Sequence, residues 1–338
     1  DGLRVDAVCH FTHDPQLRDN PPRPDGARLR PVDFQALLYN SDRPETLVFL
    51  ERLRAVLDRY EGRFALGEIG GPDSADRELG PYLQGRRLHT AYSFQFLLAG
   101  RPTPASVRAV LDEWRRIHGD GWPTWVFSNH DAPRVASRWG GEGAPPAYAK
   151  LLNALLLTLR GSVCLYQGEE LGLPQAYVPF ERLRDPEAIA NWPHTLGRDG
   201  ARTPMPWLAS APHAGFSRAE PWLPVDARHV ALAVDRQAGV EDSVLECTRE
   251  ILRVRRSRPA LRAGDQRFHD APEPVLAFER RSGGGGAWFW FTGGDAPASG
   301  SLPAGRWRLL HASPGVTGPQ PRLALPPYGY VLAVPEAA

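Results

Sequence analysis

Gly2-Leu3-Arg4-Val5-Asp6-Ala7-Val8 is a short apolar run broken by an acid, and the same design returns twice downstream. Arg63 to Gly67 runs into Glu68, and Trp125 to Ser128 is followed by Asn129, His130 and Asp131. Short runs rich in apolar residues, with Leu3 to Val8 as the first, read as strands. His89 to Phe96 and Gly161 to Tyr166 supply two more. Helical stretches lie between them. Thr46 to Tyr60 places Leu47, Phe49, Leu50, Leu53, Val56 and Leu57 close to a helical period. Ala105 to Ile117 is entered through Thr103-Pro104, a cap and first-turn pair, and Ala147 to Leu159 is an apolar helix. About five strands alternating with helices argue for parallel βαβ units. They form either a small open sheet or the last five strands of a (β/α)8 barrel. The chain opens without Met, directly in a strand-like run, so the expectation is a barrel that began upstream of Asp1.

Beyond these strands the pattern changes twice. Leu171 to Trp222 is rich in Pro, Gly, Arg and Trp and has little periodicity. A stretch that long without regular elements is functional or disordered, and its tryptophans argue for order. Arg249 to Ser257 reads as a last helix. After Ala263 come short alternating runs such as Val275 to Phe278, Ala287 to Phe291, Trp307 to Leu310 and Gly329 to Leu332. With turn-rich pieces such as Gly283 to Gly286 between them, they predict a small antiparallel β domain. The expected division is therefore 1–262 for the partial barrel and 263–338 for an all-β sandwich domain.

A chain of 338 residues with 42% hydrophobic and 23% charged residues has the composition of an ordinary two-domain globular protein. The net charge of +1 gives no electrostatic reason for a nucleic-acid or membrane partner. No apolar run is long enough to span a bilayer. Lys150 is the only lysine, which speaks of a GC-rich coding sequence more than of function. Cys9, Cys164 and Cys247 are far apart and lack the close spacing of a zinc site. Buried thiols in a reducing compartment, the cytoplasm, are expected.

The three acids carry the chemistry. In a (β/α)8 barrel the catalytic groups stand at the C-terminal ends of strands. Retaining glycoside hydrolysis needs one carboxylate to attack the anomeric carbon and a second, protonated carboxyl about 5–5.5 Å away to release the leaving group. Crowded acids help keep the second one protonated. Arg4, two residues before Asp6, falls on the same strand face and would hold Asp6 ionised. Any one acid taken alone is more simply a helix cap; the three together are not.

Three motifs bear a family resemblance. Gly2-Leu3-Arg4-Val5-Asp6-Ala7-Val8, Leu66-Gly67-Glu68 and Phe127-Ser128-Asn129-His130-Asp131 resemble, in order, the nucleophile, acid/base and transition-state-stabiliser motifs of the α-amylase superfamily. The spacings, 62 residues from Asp6 to Glu68 and 63 from Glu68 to Asp131, fit that family. Phe11 to Asp14, Leu17 to Pro22, Asn129 to Arg134, Tyr166 to Gly172 and Gly197 to Trp207 narrow the resemblance to α-glucosidases of glycoside hydrolase family 13.

The resemblance implies Asp6 as nucleophile, Glu68 as acid/base and Asp131 as the carboxylate that binds and distorts the non-reducing glucose. It places Arg4 and His130 on the same sugar. It assigns an arginine that helps close the pocket to Arg198 or Arg202, whose bland alternative is pairing with Asp199 or Glu170. Glu169 and Glu170 are read as shaping their loop. Alanine after the nucleophile, here Ala7, accompanies α-1,4 over α-1,6 cleavage. The family's first motif, first three strands and inserted small domain fall outside this sequence. No metal or other cofactor is expected of these residues, although some relatives carry a structural calcium near the start of the barrel. The expected partner is a short α-glucoside and the expected activity is that of an α-glucosidase. A transglucosylase or a sucrose- or trehalose-acting relative is the first alternative, and a non-catalytic scaffold the second. Oligomeric state is not legible.

Overall fold

The computed structural model describes residues 2–23, 31–70, 79–195, 197–283, 285–317 and 322–336. They gather into two compact units: Asp1–Leu98 with Asp112–Trp125, and Ala99–Leu111 with Val126–Ala338.

In the first unit, parallel strands β1 (Gly2–Val5), β2 (Phe64–Gly67), β3 (Thr90–Ser93) and β4 (Thr124–Val126) pair in chain order. Arg4 lies opposite Leu66, Leu66 opposite Thr90, and Tyr92 opposite Thr124. Helix α1 (Pro44–Leu57) joins β1 to β2, and the short helix α2 (Leu79–Leu83) precedes β3. Proline at the first turn suits α1, because its missing N–H would have had no partner there. Helix α3 (Gln95–Leu98) follows β3 directly, so the expected strand over His89 to Phe96 stops at Ser93. Helix α4 (Pro104–His118) divides between the units. In its second half Trp114 meets Trp125 edge-on at 5.5 Å, and Phe96 meets Trp125 at 5.3 Å. Such contacts add about 0.5–1.5 kcal/mol each beyond burial.

The second unit holds α5 (Val135–Gly140), α6 (Pro146–Thr158) and strand β5 (Ser162–Cys164). Every residue of α6 from Tyr148 to Thr158 is buried, which is why its sequence shows almost no polar face. Helix α7 (Pro186–Asn191) punctuates the irregular stretch, and α8 (Ala227–Ala231) and α9 (Val234–Gln237) follow it; the stretch is ordered around Leu171, Leu173, Met205 and Leu245 and around Val178, Leu183, Ala188 and Leu223. Helix α10 (Val244–Ser257) begins five residues earlier than the expected Arg249. Ser243 caps it by accepting from the Glu246 N–H, half of a capping box whose Ser-x-x-Glu spacing was legible. Helix α11 (Pro259–Ala263) ends where the β region starts.

Strands β6 (Asp265–His269), β7 (Val275–Ser282), β8 (Gly285–Thr292), β9 (Ala298–Ser301), β10 (Trp307–Ala312), β11 (Arg322–Leu325) and β12 (Tyr330–Pro335) follow. Five form an antiparallel sheet in the order β10-β12-β8-β7-β6, and β11 pairs with β9. Side-chain alternation splits β7. Val275 and Ala277 enter a core with Trp290, Leu323 and Leu325, while Phe278 stacks on Phe289 and Phe291. Fully buried Arg280 donates from Nη1 to the Thr158 carbonyl at the end of α6 and from Nη2 to that of Gly264. Arg255 does the same for Leu157 and Gly161. Cations suit the carbonyl end of a helix, so these two arginines fix the turn that delivers β5. The β strands thus belong to the same compact unit as Val126–Ala263.

Candidate active site

In the first unit, β1 ends at Val5 and not at Val8 as expected. Ala7 has φ 39° and ψ 42°, a left-handed conformation that stops a strand, and Val8–His10 form a 3-10 turn. The Arg4 and Ala7 contacts are therefore set by this turn as well as by strand alternation. Arg4 Nη1 bonds Asp6 Oδ1, and Arg4 Nη2 lies 2.9 Å from Glu68 Oε2. The Ala7 backbone N–H donates to the same Glu68 oxygen at 3.3 Å. Backbone bonds from Glu68 N to Val5 O and from Val8 N to Glu68 O lock the two strand ends together. Glu68 has a side chain 13% exposed, against 71% for Asp6. Burial pushes the Glu68 carboxyl above its ordinary value; the Ala7 N–H and Arg4 pull it back, and Asp6 pushes it up further. Two acids under one guanidinium, one held toward its protonated form, can supply an acid and a nucleophile.

In the second unit, Asp131 follows β4 through a turn made by Asn129, whose Oδ1 accepts from the N–H of Asp131 at 2.8 Å and of Ala132 at 2.9 Å. Arg202 Nη2 reaches Asp131 Oδ1 at 2.6 Å, and Arg202 Nε reaches the His130 carbonyl at 2.7 Å. Arg198 Nη1 stands 3.3 Å from the same Oδ1. His130 Nε2 stands 3.3 Å from Oδ2. Both arginines thus turn to Asp131, and they differ in what else holds them. The main partner of Arg198 is neither Asp199 nor Glu170. It is Asp185, the buried cap of α7, which takes Nε at 3.0 Å and Nη2 at 2.9 Å. Glu170 accepts from the Gly168 N–H instead.

The structure brings Arg4, Asp6, Ala7 and Glu68 together in one unit, and His130, Asp131, Arg198 and Arg202 together in the other. Asp185 and Asn129 were not singled out from the sequence. Asp185-Pro186 does carry a signal, an acid cap followed by proline at the first helical position. Among the described residues, no group of three or more His, Cys, Asp or Glu side chains is placed to hold a metal ion. No helix among them is long and apolar enough to cross a membrane.

Comparison with known proteins decides the family. Residues 1–264 match the family described as "Alpha amylase, catalytic domain". The chain belongs to the α-amylase family. A probable alpha-glucosidase of Rhizobium meliloti (strain 1021) is 41% identical over 319 residues, 92% of this chain and 58% of that protein. Maltase A1 of Drosophila melanogaster is 29% identical over 304 residues, 84% and 52% of the two chains. The crystal structure of an alpha-glucosyl transfer enzyme, XgtA, superposes with a TM-score of 0.89 at 44% identity, covering 99% of this chain and 64% of that one. The fold of this α-amylase family member is accordingly part of a (β/α)8 barrel followed by an antiparallel β domain. The chain spans between half and two thirds of the length of these relatives.

Proposed function

We propose that the complete protein is a retaining α-glucosidase that releases glucose from the non-reducing end of short α-glucosides. The observation that supports this most is the shared guanidinium of Arg4. It favours an ionised Asp6 while burial leaves Glu68 biased toward its protonated form. Asp6 attacks the anomeric carbon and forms a carbon–oxygen bond to it. The glycosidic bond breaks, and Glu68 gives its proton to the departing oxygen. In the second step Glu68 takes a proton from water, the water oxygen attacks the same carbon, and Asp6 is released. Asp131 is proposed to hold sugar hydroxyls. Arg198 and Arg202 both occupy its Oδ1, which leaves Oδ2, beside His130, as the oxygen that faces the sugar.

Carboxyl groups suffice for this reaction, so activity is expected to persist after dialysis against a chelator. None of the three cysteines is in a disulfide, which supports a reducing, cytoplasmic setting. The preferred linkage is proposed to be α-1,4, on the strength of Ala7. Transfer of glucose to a sugar hydroxyl is the second reading. It is favoured by the 44% identity to XgtA, described as an alpha-glucosyl transfer enzyme; product analysis at high maltose separates the two.

The test uses the complete protein and p-nitrophenyl α-glucoside, with the first-formed anomer read by proton NMR. The α-anomer is expected, and β-glucose appearing first would end the two-step reading. Asp6→Asn is expected to lower kcat by about 10⁴-fold or more. A variant with normal turnover removes Asp6 as nucleophile.

A further inference from the structure

Arg198 is held with unusual completeness for a side chain that is 37% exposed. Asp185, whose own side chain has no exposure, accepts its Nε and Nη2 in a two-point fork, and the Arg198 backbone N–H also bonds Asp185 Oδ2 at 2.8 Å. Asp199 answers from the other side. Its Oδ2 accepts from the N–H of Arg184 at 2.6 Å and of Asp185 at 2.9 Å. Segments 184–187 and 197–199 are thus clasped by two carboxylates, each accepting from the backbone of the other segment.

Gly197 makes the clasp fit. It has φ +60°, and a Cβ there would stand 2.8 Å from Asp185 Oδ2 and 2.4 Å from the Ala188 Cβ. Only glycine gives both the backbone conformation and the room. A fork fixes direction as well as distance. With Nε and Nη2 committed, the one edge of Arg198 turned to Asp131 is Nη1.

We propose that Asp185 is a positioning residue for catalysis, holding Arg198 so that its Nη1 steadies Oδ1 of Asp131. This rests on the reading of Asp131 as the carboxylate that binds glucose. Arg202 reaches Asp131 without Asp185, through the His130 carbonyl, so the two arginines are separately supported. The pair also keeps its charge under acid conditions, since Arg198 foremost holds the Asp185 carboxyl at about 2.

The experiment is a double-mutant cycle in the complete protein, with kcat/KM for p-nitrophenyl α-glucoside and KI for the glucose mimic deoxynojirimycin. Misplacing a group near the reacting centre costs up to about 100-fold. Arg198→Ala is expected to lose about 30–100-fold in kcat/KM, and Asp185→Asn about 10–30-fold. An asparagine keeps the shape but cannot accept both guanidinium nitrogens. KI should rise by a similar factor in each, a change that loss of folded enzyme alone would not produce. In the Arg198→Ala background, Asp185→Asn should lose less than about twofold more. An equal loss in both backgrounds, or an unchanged KI in Asp185→Asn, overturns the proposal.

If Asp185→Asn does not fold, Arg198→Lys keeps the charge and removes the fork. It should lose as much as predicted for Asp185→Asn, and wild-type kinetics there overturn the proposal too. Asp131→Asn separates the two levels of inference. Normal turnover in that variant overturns the reading of Asp131 and the role of Asp185 with it. Impaired Asp131→Asn and Arg198→Ala beside a normal Asp185→Asn overturns the positioning role alone.

Discussion

Asp6 and Asp131 each follow a short parallel strand, but their charge surroundings are opposite. At Asp6 one guanidinium serves two carboxyl groups, and the second of these, Glu68, is mostly buried. At Asp131 two guanidiniums converge on a single carboxylate oxygen. The turns differ as well. Left-handed Ala7 aims a backbone N–H at Glu68, whereas Asn129 folds its own side chain under Asp131. A shortage of cations leaves an acid able to carry a proton, and a surplus fixes a carboxylate in place. The first arrangement suits proton transfer and the second suits holding a sugar still.

Glu68→Gln tests the first half of that contrast most severely. Removing a general acid costs about 10²–10⁴-fold. The loss should be large for maltose, whose leaving hydroxyl needs the proton, and much smaller for p-nitrophenyl α-glucoside in the first step. The pH profile follows in sign. Glu68 must be protonated to act as acid, and its carboxyl lies above the ordinary value, chiefly through burial. So kcat/KM for maltose should fall as pH rises through that raised value, and Glu68→Gln should abolish this limb. Equal losses on both substrates would mean that Glu68 is not the proton donor.

The next effect separates burial without chemistry from burial with it. Glu169, in the second unit, is pushed up to about 7 by desolvation, against the opposing pull of Ser128, the Tyr166 N–H and Arg134. Its folded value is raised, so the folded state binds the extra proton between the ordinary carboxyl range and about pH 7. Stability therefore falls as pH rises through that window, and the penalty is complete above it. The difference is on the order of 3 kcal/mol. Glu169→Gln should raise Tm at pH 8 relative to the parent and leave it nearly unchanged at pH 4.5, with turnover retained. A lower Tm at both pH values would show that the charged form is the one the fold uses.

The same contrast marks what was legible in the sequence. Asp6, Glu68 and Asp131 stood out because each follows an apolar run, and strand placement depends on local pattern. The pairing of Asp185 with Arg198 did not, because an ion pair between positions 13 residues apart has no period to reveal it. The start of the helix at Val244, five residues before Arg249, is marked in the sequence by Ser243 and Glu246. Arg280 carries no local signal that sets it apart. The Thr158 carbonyl that it meets lies 122 positions earlier in the chain. The β region after Ala263 was legible because short apolar and aromatic runs bounded by turn residues mark strands, even though both faces of β7 and β12 are buried.

The smallest effect concerns Ala7, and the structure changes its physical account. Alternation along a continuous strand would turn the Ala7 side chain away from that of Asp6, but Ala7 has left the strand, with φ 39°. Its amide bonds Oε2 of Glu68, the proposed acid/base. A β-branched residue is stiff, and a left-handed conformation costs an L-residue roughly 1–2 kcal/mol. Ala7→Val therefore adds volume beside Asp6, the proposed nucleophile, and strains the turn that carries the amide. The volume effect should move the isomaltose-to-maltose ratio of kcat/KM toward isomaltose, by less than about tenfold, since one or two methyl groups discriminate by only about 1–3 kcal/mol. The turn effect should raise the pH of the Glu68 limb, because the Ala7 N–H is one of the groups holding that carboxyl down. Ala7→Gly separates the two. Glycine takes the left-handed turn freely and adds no volume, so it should leave the pH limb in place and the linkage ratio within about twofold. A ratio that moves toward maltose with valine contradicts the volume account, and a limb that stays fixed in Ala7→Val contradicts the role of the turn.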